Sequence, residues 1–299
     1  MTILITGSGG QVGWELLRAC RRQDLDAVGL THGQLDITDP DSVARAFSRF
    51  APAVVINATA YTAVDGAETE PDAAFAVNRD GAENLARAYR RGEIPLVRLS
   101  TDYVFDGEAD RPYREDDAAA PVNRYGESKL QGESAVRAAL PRHVILRVSW
   151  VFGVHGENFV KTMLSLAGRH DRLRIISDRT GHPTSAASIT GAALSIARRV
   201  RAGETVPWGT YHFCGQPETS WYGFARTIFR HAVDLSLLPS VGTVEPIPGA
   251  EYPQPAARPR RLALDCSRWR QGFDHPLPDW ETDLRRVLIE LRDGEAGER

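Results

Sequence analysis

The chain has 299 residues, 42% hydrophobic and 25% charged, enough for one large α/β domain or a nucleotide-binding domain with a smaller lobe. A formal charge of −3 offers neither a basic footprint for nucleic acid nor a polybasic membrane patch, and no apolar run approaches the roughly 20 residues of a membrane span. Cys20, Cys214 and Cys266 lie far apart in sequence and match no metal-binding spacing, so a reducing compartment is expected rather than a disulfide framework.

The apolar residues 2–6 are cut short by Gly7, Ser8, Gly9 and Gly10, too early for a secretory segment. Residues 3–5 predict a first strand and 12–22 a first helix. A strand at 26–30 precedes a helix at 41–50, which Asp39, Pro40 and Asp41 open with an N-cap setting. Next come a buried strand at 53–57, a long helix at 72–91 and a strand at 95–99, then a helix at 128–140 and a strand at 143–148. Continuous apolar strands separated by helices argue a parallel sheet covered on both faces.

The second half is less regular, with strands at 173–176 and 211–214 and helices at 189–201 and 221–231. Residues 241–261 carry Pro246, Pro248, Pro253, Pro255 and Pro259 and predict an ordered loop that lines a site or marks a lobe boundary. Fraying is expected from Gly294 onward.

Gly7, Gly10 and Gly13 form G-x-x-G-x-x-G between the first strand and the first helix. Glycine permits positive φ and lets backbone N–H groups approach a pyrophosphate at a helix N-terminus. The acid that usually follows the second strand and binds the adenosine ribose is missing from Gly29, Leu30, Thr31 and His32. A 2′-phosphate is therefore tolerated as well as a hydroxyl. Asp36 comes slightly later, and either contacts the adenine side or caps the following turn.

Tyr125 and Lys129 form Y-x-x-x-K, which on a helix places phenol and ammonium on one face. A ketone reduced by hydride becomes an alkoxide and needs a proton. A neighbouring ammonium is expected to lower the phenol from its free value of about 10, making it a better donor. Thr101 ends a buried strand, where α/β sheets place their ligands, and can polarise a carbonyl; Ser100 beside it suits a cap. Ala58, Thr59 and Ala60 end another strand on the same expected edge.

With G-S-G-G-Q-V-G-W-E-L (7–16), L-D-I-T-D-P (35–40), N-A-T-A-Y-T-A-V-D (57–65), L-S-T-D-Y-V-F-D-G (99–107) and N-R-Y-G-E-S-K-L (123–130), the chain resembles the dTDP-4-dehydrorhamnose reductases of the extended short-chain dehydrogenase/reductase superfamily. R-V-S-W-V-F (147–152), N-F-V-K-T-M-L (158–164), Y-P-Q-P-A-A-R-P (252–259) and a closing tryptophan-led helix continue the likeness over nearly the whole chain. The resemblance implies a Rossmann-type doubly wound parallel sheet with a smaller C-terminal substrate-binding lobe. Residues 1–150 would mainly hold NAD(P). Residues 151–299 would mainly hold the sugar nucleotide, with some segments returning to the first domain.

It further implies NADPH- or NADH-dependent reduction of the C4 ketone of dTDP-4-dehydro-L-rhamnose, supplying rhamnose for cell-surface polysaccharide, in the cytoplasm and apart from nucleic acid or membrane. Tyr125 would be the proton donor, Lys129 its partner and ribose ligand, and Thr101 the carbonyl-binding residue. Gly7, Gly10, Gln11, Val12, Asp36, Ile37, Ala60, Tyr61 and Thr62 match cofactor-contact positions. Thr101, Asp102 and Trp150 match sugar-nucleotide contacts, and Lys161 and Arg258 are candidates for the substrate pyrophosphate. Some members hold Mg²⁺ at a dimer interface through three glutamates. Glu15 and Glu290 match two of them and Ala187 falls at the third, so metal is not expected, Glu15 reads as a solvated helix residue, and both monomer and homodimer stay open. Two other readings share the pattern: a reductase of another nucleotide-linked 4-keto-6-deoxysugar, and a non-catalytic NADP-binding subunit like the regulatory subunit of methionine adenosyltransferase.

Overall fold

The computed structural model describes residues 2–90 and 93–297. Its first half runs β1 (Ile3–Thr6), α1 (Gln11–Arg22), β2 (Ala27–Leu30), α2 (Pro40–Phe50), β3 (Val54–Asn57), α3 (Gly66–Thr69), α4 (Pro71–Phe75), a π-helical turn (Ala76–Asp80), α5 (Gly81–Arg90), β4 (Leu96–Thr101), α6 (Arg124–Ala139) and β5 (His143–Val148). The second half runs β6 (Val151–Phe152), α7 (Phe159–Ala167), β7 (Arg172–Ile176), β8 (Thr180–Gly181), β9 (Thr184–Ser185), α8 (Ala186–Arg201), β10 (Gly209–His212), β11 (Thr219–Ser220), α9 (Trp221–Asp234), β12 (Thr243–Ile247), α10 (Ser267–Gly272) and α11 (Trp280–Gly297).

Six strands form one sheet in the order β10-β5-β4-β3-β1-β2, all parallel. β1, β3 and β5 are buried along their whole length because helices cover both faces, as their mainly apolar sequences require. On one face α1 and α8 pack around Ile3, Ile5, Leu16, Ile189 and Trp269. On the other, α2, α5 and α6 enclose Leu4, Val43, Leu85 and Val136. A separate cluster of Phe152, Leu173, Ile175, Phe224 and Leu288 joins β7, α9 and α11 beside the sheet. The chain leaves β1 outward to β2 and returns to β3, so the strand order reverses between β1 and β3. A crevice opens at the C-terminal ends of such a pair.

Several expectations change in detail. The helix foreseen at 72–91 is interrupted by the π-helical turn, and Arg91 lies outside the described residues. α6 begins a turn earlier than foreseen, because the Asn123 side chain caps it by accepting from the Gly126 N–H (2.8 Å). The proline-rich segment contains a strand, β12, parallel to β7; Pro246 is tolerated because this sheet is only two-stranded. α11 runs past Gly294 to Gly297, and residues 298–299 lie outside the described residues. Cys214 and Cys266, remote in sequence, meet with sulfurs 3.4 Å apart as buried free thiols. Among the described residues no helix is long and apolar enough to cross a membrane.

Candidate active site

The crevice begins at the glycine turn. Gly7 has φ +70°, and a Cβ there would lie 2.7 Å from the Thr59 nitrogen, so only glycine lets the turn press against the end of β3. A Cβ on Gly13 would lie 2.1 Å from the Gly7 carbonyl oxygen, so α1 can start this close to the turn only with glycine there. Gly10 is the N-cap of α1, without a side-chain cap and with no acid in the first turn, which leaves backbone donors for an anion. The turn thus fits a dinucleotide pyrophosphate. Gln11 and Val12 open the helix, and the Gln11 side-chain oxygen accepts from the Asn158 amide (3.1 Å). The Asn158 oxygen in turn caps α7, accepting from the Lys161 N–H (3.2 Å).

At the end of β2 the Gln34 side chain accepts from the backbone and hydroxyl of Thr31, and no acid stands there. Asp36 caps the following turn, accepting from the Thr38 N–H (2.9 Å) and hydroxyl (2.7 Å), bonds that hold its carboxyl below the usual range. The cap is thus formed, one of the two readings of Asp36. Ile37, matched to a cofactor contact, has its side chain in the core at 2% exposure. Ala60, Tyr61 and Thr62 follow β3, where the Tyr61 backbone is held at both N–H and C=O by the Asn78 side chain (3.0 Å each). Asn78 lies in the π-helical turn and also donates to the Ser128 hydroxyl on α6 (3.0 Å). That turn therefore ties the β3 edge to the helix bearing Tyr125 and Lys129, in keeping with the placement of such bulges at functional sites.

Thr101 ends β4, and its hydroxyl donates to the Asp102 carboxylate (3.0 Å). Asp102 is buried and also accepts from the Ser149 hydroxyl (2.6 Å); burial pushes its carboxyl up to about 6. Tyr125 and Lys129 lie on α6 at 9% and 3% exposure. Tyr125 stands edge-on to Tyr103, ring centres 5.7 Å apart. Burial pushes its phenol up to about 12, Asp102 adding to the rise while the Thr101 hydroxyl and the Arg98 guanidinium oppose it. The expected lowering of the phenol by a neighbouring ammonium is therefore overturned. The Lys129 ammonium instead donates to the Leu99 carbonyl (2.8 Å), and burial brings it down to about 7, with Arg98 lowering it further and Glu133 opposing.

Beside this trio a cavity of about 460 Å³ is walled by Trp150, Trp221, Phe159 and Tyr103 and rimmed by Arg179, Arg258 and Tyr252. Trp150 takes φ +42°, a strained value for a large side chain, and stacks on Trp221 with ring centres 3.6 Å apart. Arg258 lines the cavity, paired with Asp65 (3.0 Å). Arg179 donates to Gln254 (2.7 Å); it is a cavity cation that no motif pointed to. Lys161 is not brought here: its ammonium donates to the Gly156 carbonyl (3.0 Å), and its side chain lines a separate hollow with Leu237 and Leu291.

Glu15 and Glu290 do converge, but around Arg18 rather than a metal. Arg18 donates twice to Glu290 (2.5 and 2.8 Å) and also to Glu15, which Arg22 reaches as well. Glu15 is thus not solvated but buried and paired. Ala187 lines the same small cavity and brings no donor. These residues do not fit Mg²⁺, and among the described residues no cluster of three or more His, Cys, Asp or Glu suits a metal.

The family described as RmlD substrate binding domain matches residues 1–293. A dTDP-4-dehydrorhamnose reductase of Sinorhizobium fredii is 42% identical over 292 residues, covering 97% of this chain and 98% of that protein. The crystal structure of a dTDP-4-dehydrorhamnose reductase from Clostridium acetobutylicum superposes with a TM-score of 0.90 at 35% identity, covering 98% of this chain and 100% of that one. That of the Bacillus anthracis dTDP-4-dehydrorhamnose reductase, solved in complex with NADP, superposes at 0.88 with 34% identity, covering 97% and 99%. With its motifs, its sheet order and its full-length likeness in agreement, the chain belongs to the dTDP-4-dehydrorhamnose reductase family.

Proposed function

We propose that the chain reduces the C4 ketone of dTDP-4-dehydro-L-rhamnose to dTDP-L-rhamnose with NADPH or NADH, completing the supply of activated rhamnose for cell-surface polysaccharide in the cytoplasm. The observation that supports this reading is that the buried Tyr125 phenol faces the Thr101 hydroxyl at the end of β4 and stands against Tyr103 of the tryptophan-walled cavity, while Lys129, one helical turn on, is held at the Leu99 carbonyl two residues before Thr101.

In this reading residues 1–150 mainly hold the dinucleotide and 151–299 mainly the sugar nucleotide, with β10 and α8 serving the first part. Gly7, Gly10, Gln11 and Val12 would hold the pyrophosphate, Ala60, Tyr61 and Thr62 would flank the carrier along the strand ends, and Lys129 would bind the nicotinamide ribose. When bound, the reduced dinucleotide supplies the hydride. The Thr101 hydroxyl, whose single proton rests on the Asp102 carboxylate, would turn it to the ketone oxygen when substrate binds, and Tyr125 would give its proton to the nascent alkoxide. A phenol raised to about 12 is fully protonated at neutral pH, which is the form a donor needs, and an alkoxide is basic enough to take that proton. Trp150 offers a flat apolar wall to the deoxysugar, and Arg258 and Arg179 supply cations for its pyrophosphate. The missing acid at the end of β2 supports use of both NADPH and NADH.

Tyr125→Phe is expected to lower turnover by about 10²–10⁴-fold while dinucleotide binding is kept. Near-normal oxidation of NADPH with the keto sugar by that variant removes Tyr125 from the role. Product NMR with the wild type separates this reading from a reductase of another 4-keto-6-deoxysugar, and steady oxidation by the purified chain alone excludes a binding subunit.

A further inference from the structure

We infer that Arg98 is a positioning residue of this site: a cation sealed beneath α6, on the face that carries Tyr125 and Lys129, that tunes both. The inference rests on the reading of those two residues given above. Arg98 is on β4, three residues before Thr101, and is 2% exposed. Among the described residues its guanidinium makes one hydrogen bond, from Nη2 to the Asn78 carbonyl (2.6 Å), while Nε and Nη1 have no partner. A guanidinium carries five N–H donors, and one buried for structural reasons alone ordinarily has them satisfied.

Room for it is made on the catalytic helix itself. A Cβ on Gly132 would lie 2.4 Å from Arg98 Nη2 and 1.9 Å from the Asn78 oxygen. Tyr125, Lys129 and Gly132 are spaced i, i+4, i+7, so the face of α6 that covers Arg98 is the face that carries the phenol and the ammonium. The interior carboxylate of Glu133 faces Arg98 as an opposite charge, but its hydrogen bonds go to Ser100 (2.6 Å), Arg147 (3.0 and 2.8 Å) and Arg137 (3.0 Å). The other ionisable groups facing the pair are Asp102 and Tyr103 from the turn after β4, with Arg258 and Arg179 beyond Tyr103. Arg98 acts on both members with one sign: it repels a proton from Lys129 and favours proton loss from Tyr125. Lys129 can lose its charge near neutrality; Arg98, which burial lowers only to about 10, with Glu133 and Tyr125 opposing and Arg137 adding to the fall, keeps its charge there, so the positive potential at the phenol persists when Lys129 deprotonates.

A neutral residue at this position removes a like charge from Lys129, whose ammonium then persists to higher pH. It also removes an attraction on tyrosinate, making Tyr125 a poorer donor. In Arg98→Gln, which keeps a donor for Asn78, the alkaline limb of kcat/KM and of the NADPH dissociation constant, read by fluorescence quenching, is expected to move up by about one pH unit, with turnover at neutral pH down about tenfold. Arg98→Lys is expected to fall between wild type and Arg98→Gln, because burial drives an ammonium there toward neutrality as it does Lys129. Limbs of Arg98→Gln at the wild-type pH overturn the inference, and so does a neutral variant that does not fold, which marks Arg98 as structural. If Tyr125→Phe retains turnover, the functional reading itself has failed; if Tyr125→Phe is inactive and the Arg98→Gln limbs stay put, only the role of Arg98 has.

Discussion

Glu133 takes no part in the proposed chemistry, yet it is the best-paired acid in the interior. Its carboxylate, fully buried, is brought down to about 2 by Arg147, Ser100 and Arg137 against the opposing effect of burial. The unfolded value is roughly 4.3, so the folded value is depressed: the stabilisation is complete above the unfolded value and is lost as pH falls through the folded one. Glu133→Gln leaves Arg147 buried without its counter-charge and is expected to cost about 3–5 kcal/mol in chemical denaturation at neutral pH. The gap between wild type and variant should close as pH is lowered from about 5 toward about 2. At this scale the sequence was informative where residue type and spacing carry the chemistry, as for Thr101, Tyr125, Lys129 and the glycines. It was silent on Arg98, Asn78 and Arg179, whose partners lie on other elements, and it misjudged the Tyr125 phenol because spacing does not reveal burial. The same blindness separated Cys214 from Cys266.

At the level of elements, α6 carries the most constraint. Replacing an exposed helical glycine by alanine ordinarily gains about 1 kcal/mol. At Gly132 the added carbon would lie 1.9 Å from the Asn78 oxygen and 2.4 Å from a buried guanidinium, and backbone cannot retreat as a flexible side chain can. Gly132→Ala is therefore expected to destabilise by about 1–3 kcal/mol, the overpacking cost exceeding the helical gain; a thermal or denaturant melt reads the sign. Most elements were legible from the alternation of apolar strands and amphipathic helices. The π-helical turn was not, because an inserted residue leaves the apolar periodicity of its flanks intact. β12 was hidden by its prolines, which argue against a central strand but are harmless in a two-stranded ribbon.

For the whole molecule, the cavity formed by α1, α8 and α11 decides how the chain responds to metal. Arg18 already joins Glu15 to Glu290 and holds the Glu290 carboxyl below its usual range. EDTA is accordingly expected to leave turnover, melting temperature and sedimentation coefficient unchanged; loss of any of them on chelation, with recovery on Mg²⁺, would contradict the pairing drawn here. The sheet and its switch point were readable from the order of strands, whereas the aromatic cavity was not, since Trp150, Trp221 and Phe159 come from separate stretches of the less regular half. One amide, that of Asn158, holds the glycine turn by its nitrogen and the head of α7 by its oxygen, and the next residue is Phe159 on the cavity wall. In the proposed reading the grip on the electron carrier and the rim of the sugar chamber would be two arms of a single joint that bypasses the sheet.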